Sequence, residues 1–195
     1  PSEVNKKRLP IKEAKLKQLQ KECIRLDDDI RWLVALISDT GMRLSEAVGL
    51  LVDDLVIDAQ QPYVNLIAHP HRSLKTGSSE RVIPLVGPSL RVAQRIKQTQ
   101  NSSFCFERYC DTHNCNSNSA SAAINKWIKT IAGTQAVIHG FRHGFRDRLR
   151  AVEAPVDMID QLGGWSLRSV GQGYGDGYPL ELLYRWMVKI VLPQS

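Results

Sequence analysis

The chain has 195 residues, 43% of them hydrophobic, which is enough to bury a core and favours one folded domain. Its net charge of +6 and isoelectric point near 9.3 favour an anionic partner without identifying it. No apolar run approaches the roughly 18 residues of a membrane span, and no signal-peptide pattern opens the chain, so no membrane partner is expected.

The N-terminal part of the chain predicts a linker followed by helices. Residues 1–10 are polar and basic, as in a linker, and a first helix is predicted over about residues 11–25. The second helix has apolar residues at the spacing of one helical face, namely Ile30, Leu33, Val34 and Ile37. Gly41 ends that helix, and another short helix starts at Leu44. Arg43 is therefore expected at a turn between two helices.

Residues 52–85 change from helical to strand character. Three short runs carry the pattern: Val52 to Ile57, the alternating segment 63–67, and the segment 81–85. A break at Pro62 and the turn residues 76–79 separate these runs. We predict a three-stranded antiparallel sheet with Lys75 at the tip of its last hairpin.

The rest of the chain is predicted to be mainly helical. Helices are expected from Pro88 to about Thr99, from Ser119 to Gly133, along the apolar stripe Phe141, Phe145, Leu149 and Val152, from Pro155 to about Gly163, and along the stripe Leu183, Trp186, Met187 and Ile190. The fold class is therefore α+β, mainly α-helical with a small three-stranded antiparallel sheet.

Four potential metal ligands cluster between two of these helices: Cys105, Cys110, His113 and Cys115. Their spacing lacks the paired Cys-x-x-Cys of common structural zinc sites, so a polar loop with incidental cysteines is favoured over a zinc site. Four cysteines are too few for a disulfide framework in a chain of this length, which predicts a reducing cytoplasm. We expect no metal and no other cofactor.

Six residues have chemistry suited to a phosphate: Arg43, Lys75, His139, Arg142, Trp165 and Tyr174. Breaking a DNA phosphodiester with side chains alone requires positive charge on the nonbridging oxygens, a proton for the leaving oxygen and a nucleophile. Planar guanidinium groups match phosphate oxygens in pairs and stabilise charge that develops in the transition state. Lysine or histidine can supply the proton, and a tyrosine becomes a nucleophile when cations lower its pKa or a base removes its proton.

The spacing of neighbouring residues supports the same chemistry. His139 and Arg142 are three residues apart, so they share a helical face and can contact one phosphate together. Arg146 continues that face by one turn and is expected to contact a neighbouring backbone phosphate. Glu46 stands one helical turn after Arg43 and is expected to orient its guanidinium group.

At these positions the chain resembles the tyrosine recombinases, the phage-integrase family. The family's first arginine lies in Thr-Gly-x-Arg-x-x-Glu, which residues 40–46 match, and its lysine lies on a hairpin, as Lys75 is predicted to do. Residues 139–142 match the His-x-x-Arg motif of the family. Trp165 takes a position that is His or Trp, and Tyr174 follows nine residues later at the position of the nucleophile.

The resemblance implies a tyrosine recombinase catalytic domain over residues 11–195, preceded by a linker remnant at residues 1–10. It implies that the N-terminal core-binding domain of the family is absent from this chain. It also implies that Tyr174 attacks a DNA phosphodiester to leave a 3′-phosphotyrosyl link, while Lys75 protonates the departing 5′ oxygen without metal or ATP. Arg72 and Arg81, which flank the predicted hairpin, are expected to bind DNA.

The resemblance further implies double-stranded DNA as the partner, a homotetramer of the full-length protein on DNA, and a place at the bacterial nucleoid in the cytoplasm. The sequence around Trp165 and Tyr174 is most similar to integrases of phages and integrated elements. The expected function is therefore that of a site-specific recombinase. A type IB topoisomerase and a catalytically inactive, recombinase-like DNA-binding protein are the alternatives.

One departure from the family pattern leaves two alignments open. Most members have Leu-Gly-His before the tyrosine, whereas residues 162–165 of this chain read Leu-Gly-Gly-Trp. Either Trp165 or Gly164 takes the histidine position, and the nine-residue spacing to Tyr174 favours Trp165. Tyr178 is a competing candidate for the nucleophile.

Overall fold

The computed structural model of the chain describes residues 9–76, 79–165 and 177–193. The elements in these ranges are α1 (Glu13–Leu26), α2 (Asp29–Thr40), α3 (Leu44–Val48), β1 (Leu55–Val56), β2 (Tyr63–Leu66), β3 (Arg81–Pro84), α4 (Gly87–Thr99), α5 (Ser117–Ala132), α6 (His139–Ala151), α7 (Val156–Gly163) and α8 (Leu180–Lys189). The prediction of a mainly helical fold with three strands is confirmed.

Helix α2 forms the centre of the hydrophobic core, and every residue from Trp32 to Thr40 is buried. Its first turn is capped by the side chain of Asp28, which accepts a hydrogen bond from the backbone N–H of Arg31 at 3.0 Å. Gly41 ends the helix in a left-handed conformation with a φ of 63°, which glycine adopts without steric cost. The ring of Phe145 in α6 packs directly on Gly41, where a Cβ atom would collide with it. This packing brings α6 against the turn that leads into α3.

The sheet is antiparallel with the strand order β1-β2-β3. Leu55 pairs with Val64 in the β1–β2 register, and Leu66 pairs with Arg81 in the β2–β3 register. The predicted first strand is shorter than expected, because Val52–Asp54 forms a turn of 3₁₀ helix. The β2–β3 connection carries Lys75, as the turn signals in the sequence indicated.

The predicted stripe on the C-terminal helix packs inside this chain. Leu183 and Met187 of α8 are fully buried, and Ile190 directly after the helix is 3% exposed. The carbonyl of Ile190 accepts a hydrogen bond from Arg148 of α6 at 3.0 Å. None of the described helices has the length and apolar character needed to cross a membrane.

The cysteines differ from the prediction. Cys110 and Cys115 form a disulfide, so the expectation of incidental reduced cysteines is wrong for this pair. Their backbones pair as an antiparallel bridge around Asp111, whose carboxylate accepts hydrogen bonds from two following N–H groups at 2.8 and 2.9 Å. This turn brings the two Cα atoms to 4.2 Å, which sequence spacing alone does not reveal. Within the described ranges, no three His, Cys, Asp or Glu side chains are arranged to hold a metal ion.

Candidate active site

Arg43 and Glu46 form the contact that their three-residue spacing predicts. Arg43 precedes the first turn of α3, and its Nη1 donates to Glu46 Oε1 at 2.6 Å. The backbone N–H of Arg43 donates to Glu46 Oε2 at 2.8 Å, so one carboxylate fixes both the main chain and the side chain. The side chain of Glu46 is 3% exposed while that of Arg43 is 25% exposed. The guanidinium group of Arg43 is therefore held from the protein side and open on the other.

Glu46 also binds a second arginine, Arg81 of β3. Arg81 Nη2 donates to Glu46 Oε2 at 3.0 Å, and its Nε donates to the carbonyl of Leu162 near the end of α7 at 2.9 Å. Burial raises the pKa of Glu46, but the charges and hydrogen bonds of Arg81 and Arg43 outweigh it and hold that pKa below its usual value. Arg81 thus joins the sheet, α3 and α7 from inside the protein.

Arg142 lies between two helix ends. Its Nη1 donates to the carbonyl of Gly41 after α2, and its Nη2 donates to the carbonyl of Gly163 at the end of α7, each at 2.6 Å. Carbonyls at helix C-termini lack a partner in the helix and carry partial negative charge, so they suit a guanidinium group. Burial lowers the pKa of Arg142 to about 9, with a further contribution from the positive charges of Arg43 and Arg81.

The lowered pKa of Arg142 also reflects the charges of several neighbouring residues in the site. The guanidinium groups of Arg43, Arg81, Arg142 and Arg146 act on one another, and Glu46 supplies the opposing charge that Arg142 experiences most strongly. Asp160 pairs with Arg146, so these four guanidinium groups face two carboxylates and the site keeps an excess of positive charge. An anion placed against the open side of Arg43 would lower the electrostatic free energy of this arrangement.

Trp165 packs on the arginines of α6. Its ring lies 4.4 Å from the Arg142 guanidinium carbon and 4.8 Å from that of Arg146, distances typical of cation–π contacts. Arg146 is also held by Asp160 of α7, through a hydrogen bond of 3.1 Å. Gly164 adopts a left-handed conformation, and a Cβ atom there would lie 2.6 Å from Arg81 Nη1. The structure thus places Trp165, and not a side chain at position 164, against Arg142.

His139 begins α6, one helical turn before Arg142, so the two residues share a helix face as predicted. The side chain is half-buried, and its ring lies 5.1 Å from that of His143 in an edge-to-face arrangement. This position places an imidazole near the N-terminal end of the helix that carries Arg142.

Lys75 is exposed in the connection between β2 and β3. Directly after it, Thr76 and Ser79 are joined by a hydroxyl–hydroxyl contact of 3.0 Å and a backbone hydrogen bond of 2.9 Å. Ser79 in turn accepts from Arg43 Nη1 at 3.4 Å, and its carbonyl accepts from Arg81 Nη1 at 2.6 Å. We call the β2–β3 connection, residues 67–80, the Lys75 loop. Its C-terminal side is therefore attached to the two arginines that bind Glu46.

Arg72, predicted to bind DNA, is 4% exposed. Its Nη1 donates to the carbonyl of Glu46 at 3.1 Å, its Nη2 donates to the carbonyl of Ile67, and it forms an ion pair with Asp54. Burial lowers the pKa of Arg72, while Asp54 and Glu46 act in the opposite direction. Like Arg81, Arg72 directs its guanidinium group at protein acceptors.

Tyr174, the predicted nucleophile, lies outside the described residues. Its competitor Tyr178 is described, and its hydroxyl donates to Asp157 Oδ1 at 2.9 Å. The backbone N–H and carbonyl of Tyr178 bond to the side-chain amide of Gln161 at 2.8 and 3.0 Å. Burial and the hydrogen bond to Asp157 raise the pKa of Tyr178, which disfavours the phenolate form that attacks phosphorus.

Residues 10–178 match the sequence model of the phage integrase family. The chain belongs to this family. No curated protein shows a significant sequence match to the chain. The match spans the positions predicted for all six site residues.

Solved structures of tyrosine recombinases share the fold of this phage-integrase-family chain. One is the Tn1549 transposon integrase in complex with circular intermediate DNA, with a TM-score of 0.64 and 16% identity over 94% of this chain and 63% of that one. Another is the XerH site-specific recombinase bound to palindromic difH substrate, with a TM-score of 0.59 and 16% identity over 93% of this chain and 50% of that one. The predicted tyrosine recombinase catalytic-domain fold is confirmed, and this chain spans between half and two thirds of the length of those two chains.

Three polar residues of this site were missed from the sequence. Ser79 was interpreted only as part of a turn, although it contacts Arg43. Asp160 precedes Gly164 by four residues on α7, and nothing in that spacing indicates its bond to Arg146 on another helix. Asp54 contacts Arg72 and His69 across the sheet connection, a pairing that appears only in three dimensions.

Proposed function

We propose that this phage-integrase-family chain is the catalytic domain of a site-specific DNA recombinase. The observation that carries this proposal is the group of Arg43, Arg142 and Trp165, held by Glu46 and by two helix ends, with an excess of positive charge. Fixed, preorganised guanidinium groups suit the charge that builds up on a phosphoryl group in a displacement reaction. The DNA complexes of the Tn1549 integrase and XerH, which share the fold, support the same conclusion.

In the proposed reaction, the phenol oxygen of Tyr174 attacks phosphorus and forms a 3′-phosphotyrosyl bond. The bond from phosphorus to the 5′ oxygen breaks, and Lys75 gives that oxygen a proton. Arg43 and Arg142 hold the nonbridging oxygens, and His139 accepts the proton that the phenol of Tyr174 loses. Rejoining reverses these steps: a 5′-hydroxyl attacks the phosphotyrosine and returns its proton to Lys75, and the Tyr174 oxygen leaves with the proton that His139 had accepted. The energy of the phosphodiester is kept in the phosphotyrosyl bond, so no ATP is needed. In this proposal the arginines stabilise the charge and Lys75 protonates the leaving oxygen, so no metal is needed either.

Trp165, Arg72 and Arg81 have supporting roles in this proposal. Trp165 packs over Arg142, so we assign it to the histidine-or-tryptophan position of the family in preference to Gly164. Arg72 and Arg81 bond to protein acceptors, so we assign them to holding Glu46 rather than to direct contact with DNA. Arg146, whose side chain is 21% exposed, is assigned to a neighbouring DNA phosphate.

The wider context belongs to the same proposal. Double-stranded DNA is the substrate, and the full-length protein acts as a homotetramer that exchanges strands between two duplexes. We assign residues 11–195 to the catalytic domain. We assign the protein to a phage or integrated element and to the bacterial cytoplasm, at the nucleoid.

Covalent trapping tests the proposal. The protein is incubated in EDTA with a nicked suicide duplex built from the DNA that flanks its gene, beside Tyr174→Phe and Tyr178→Phe. A covalent adduct that forms with wild type and Tyr178→Phe but not with Tyr174→Phe is the expected result. Absence of an adduct from wild type that still binds the duplex would instead favour the inactive DNA-binding relative. Relaxation of supercoils without a partner site would favour the topoisomerase.

A further inference from the structure

The first half of the Lys75 loop forms a tight turn of its own. The backbone N–H of His69 donates to the carbonyl of Arg72, and that of Arg72 donates to the carbonyl of His69, both at 3.0 Å. Pro70 and His71 stand at the tip, as in a two-residue hairpin. The turn ends three residues before Lys75, and side chains from it point into the protein.

His69 is fixed by a buried carboxylate. Its Nε2 lies 2.9 Å from Asp54 Oδ1 and 3.1 Å from Oδ2, and Asp54 is 4% exposed. Asp54 is itself immobilised, because Oδ2 accepts the backbone N–H of Leu51 at 3.0 Å within the 3₁₀ turn before β1. The imidazole of His69 is therefore bound to the 3₁₀ turn before β1, which is not part of the loop.

His71 supplies a second attachment beside the first. Its Nε2 donates to the carbonyl of Gly49 at 3.0 Å, at the end of α3. The ring stacks on His69 at 5.3 Å with an interplanar angle of 10° and meets the edge of Phe104 at 4.9 Å. His71 is 9% exposed, so the turn is anchored by two stacked imidazoles whose polar atoms face the protein.

These attachments restrict where Lys75 can be. Consecutive residues span at most about 3.6 Å, so the backbone of Lys75 lies within about 11 Å of that of Arg72. On the other side, Thr76 is joined to Ser79, which contacts Arg43 and Arg81. Both ends of the exposed lysine segment are therefore attached to the residues around Glu46.

We propose that Asp54, His69 and His71 form a clasp that positions the Lys75 loop for proton transfer. The clasp residues are positioning residues that act through Lys75 and do not touch the substrate. This inference rests on the proposed function, because only a cleavage reaction gives Lys75 a leaving oxygen to protonate. A loop released from the clasp would leave the arginines in place and would misplace the proton donor.

A change of leaving group isolates this role. In a substrate with sulfur in place of the bridging 5′ oxygen, the leaving group is a thiolate. A thiol has a pKa of about 8.5, far below that of an alcohol, so the sulfur leaves without a proton whereas the 5′ oxygen needs one. A defect in proton delivery therefore slows cleavage of the 5′-oxygen substrate and leaves cleavage of the 5′-sulfur substrate unchanged. A defect in the fold slows both.

The experiment compares His69→Ala with wild type on both substrates, using the suicide duplex described above. Lys75→Ala marks the full loss of proton delivery, and Arg43→Ala marks a defect that the sulfur substrate does not rescue. His113→Ala, in an exposed loop outside the clasp, is the matched control. Displacing a catalytic group by 1 Å can cost about 100-fold, so His69→Ala should cleave the oxygen substrate roughly 10- to 100-fold more slowly.

The quantity measured is the ratio of the two cleavage rates on one preparation, so a fraction of unfolded protein lowers both rates and cancels. We expect His69→Ala to raise the sulfur-to-oxygen ratio toward that of Lys75→Ala. His69→Gln, which can still donate to Asp54, should restore most of the oxygen rate. An unchanged ratio in His69→Ala, with active wild type, would overturn the clasp alone. Wild type that cleaves neither substrate would overturn the proposed function and the clasp with it.

Discussion

Replacement of Glu46 by glutamine should destabilise the protein strongly, because this carboxylate holds two arginines from inside the site. The side chain of Arg81 is 3% exposed and bonds to Glu46 at 3.0 Å, whereas that of Arg43 is 25% exposed. Removing one partner of a buried pair leaves an unbalanced charge and costs roughly 3–5 kcal/mol. Arg81 keeps two carbonyl acceptors, at Leu162 and Ser79, so we expect about 3 kcal/mol. For a chain of this size, that loss corresponds to a fall in Tm of roughly 6–12 °C.

The chain offers a matched control in Glu181→Gln. Glu181 pairs with Arg185 at the same distance of 2.6 Å that joins Glu46 to Arg43, but the two side chains are 64% and 67% exposed. Exposed pairs of this kind contribute about 0.3–0.5 kcal/mol. Urea unfolding followed by circular dichroism measures both variants. If Glu46→Gln loses no more stability than Glu181→Gln, the central role of Glu46 in the site is refuted.

The pH dependence gives a second check on the same residue. The pKa of Glu46 is held below its ordinary value of 4.5, so its ionised form stabilises the folded state above that pH. This contribution is lost as the pH falls below 4.5 and through the folded-state pKa. The difference in unfolding free energy between wild type and Glu46→Gln should therefore be full at pH 7 and shrink on acidification. A difference that grows below pH 4.5 would contradict this assignment.

Three further outcomes are expected. Gly140→Ala should lower Tm, because the new Cβ atom would lie 2.7 Å from the carbonyl oxygen of Leu9. Gly144→Ala should be neutral or stabilising, because its Cβ atom would lie 3.5 Å from the nearest atom. Equal changes in Tm for the two variants would contradict this packing. Sulfate at tenfold its Kd should stabilise the protein by about 1.4 kcal/mol relative to chloride of equal ionic strength. Because the pKa of Arg142 is lowered to about 9, that effect should fall as the pH rises through 9, and a pH-independent effect would place the anion elsewhere. Reduction of the disulfide before α5 should cost about 2 kcal/mol, and an unchanged Tm would show that it does not constrain the chain.

Local spacing predicted much of the fold and part of the site. The helices, the antiparallel hairpins and the contact between Arg43 and Glu46 all follow from periodicity within a few residues. The shared face of His139 and Arg142 follows in the same way, because a helix repeats its faces every three to four residues. Such patterns are written into neighbouring positions and need no knowledge of the tertiary packing.

Long-range pairings account for what the sequence did not reveal. Arg72 and Arg81 were expected on the DNA surface, because long charged side chains are rarely buried without a partner. Their partners are a carboxylate and main-chain carbonyls brought together by the fold, with Leu162 standing 81 positions after Arg81. Arg142 likewise bonds to a carbonyl 101 positions away, at Gly41. No spacing rule reaches across such separations.

Mass spectrometry of the trapped adduct tests the central claim most directly. The adduct formed in EDTA is trimmed with nuclease and digested with trypsin, and the peptide that carries residual nucleotide is sequenced. We predict a 3′-linked nucleotide on Tyr174, within the peptide from Ser169 to Arg185 that also contains Tyr178. A nucleotide linked to Tyr178 or to another residue, or linkage through a 5′ phosphate, would contradict the account.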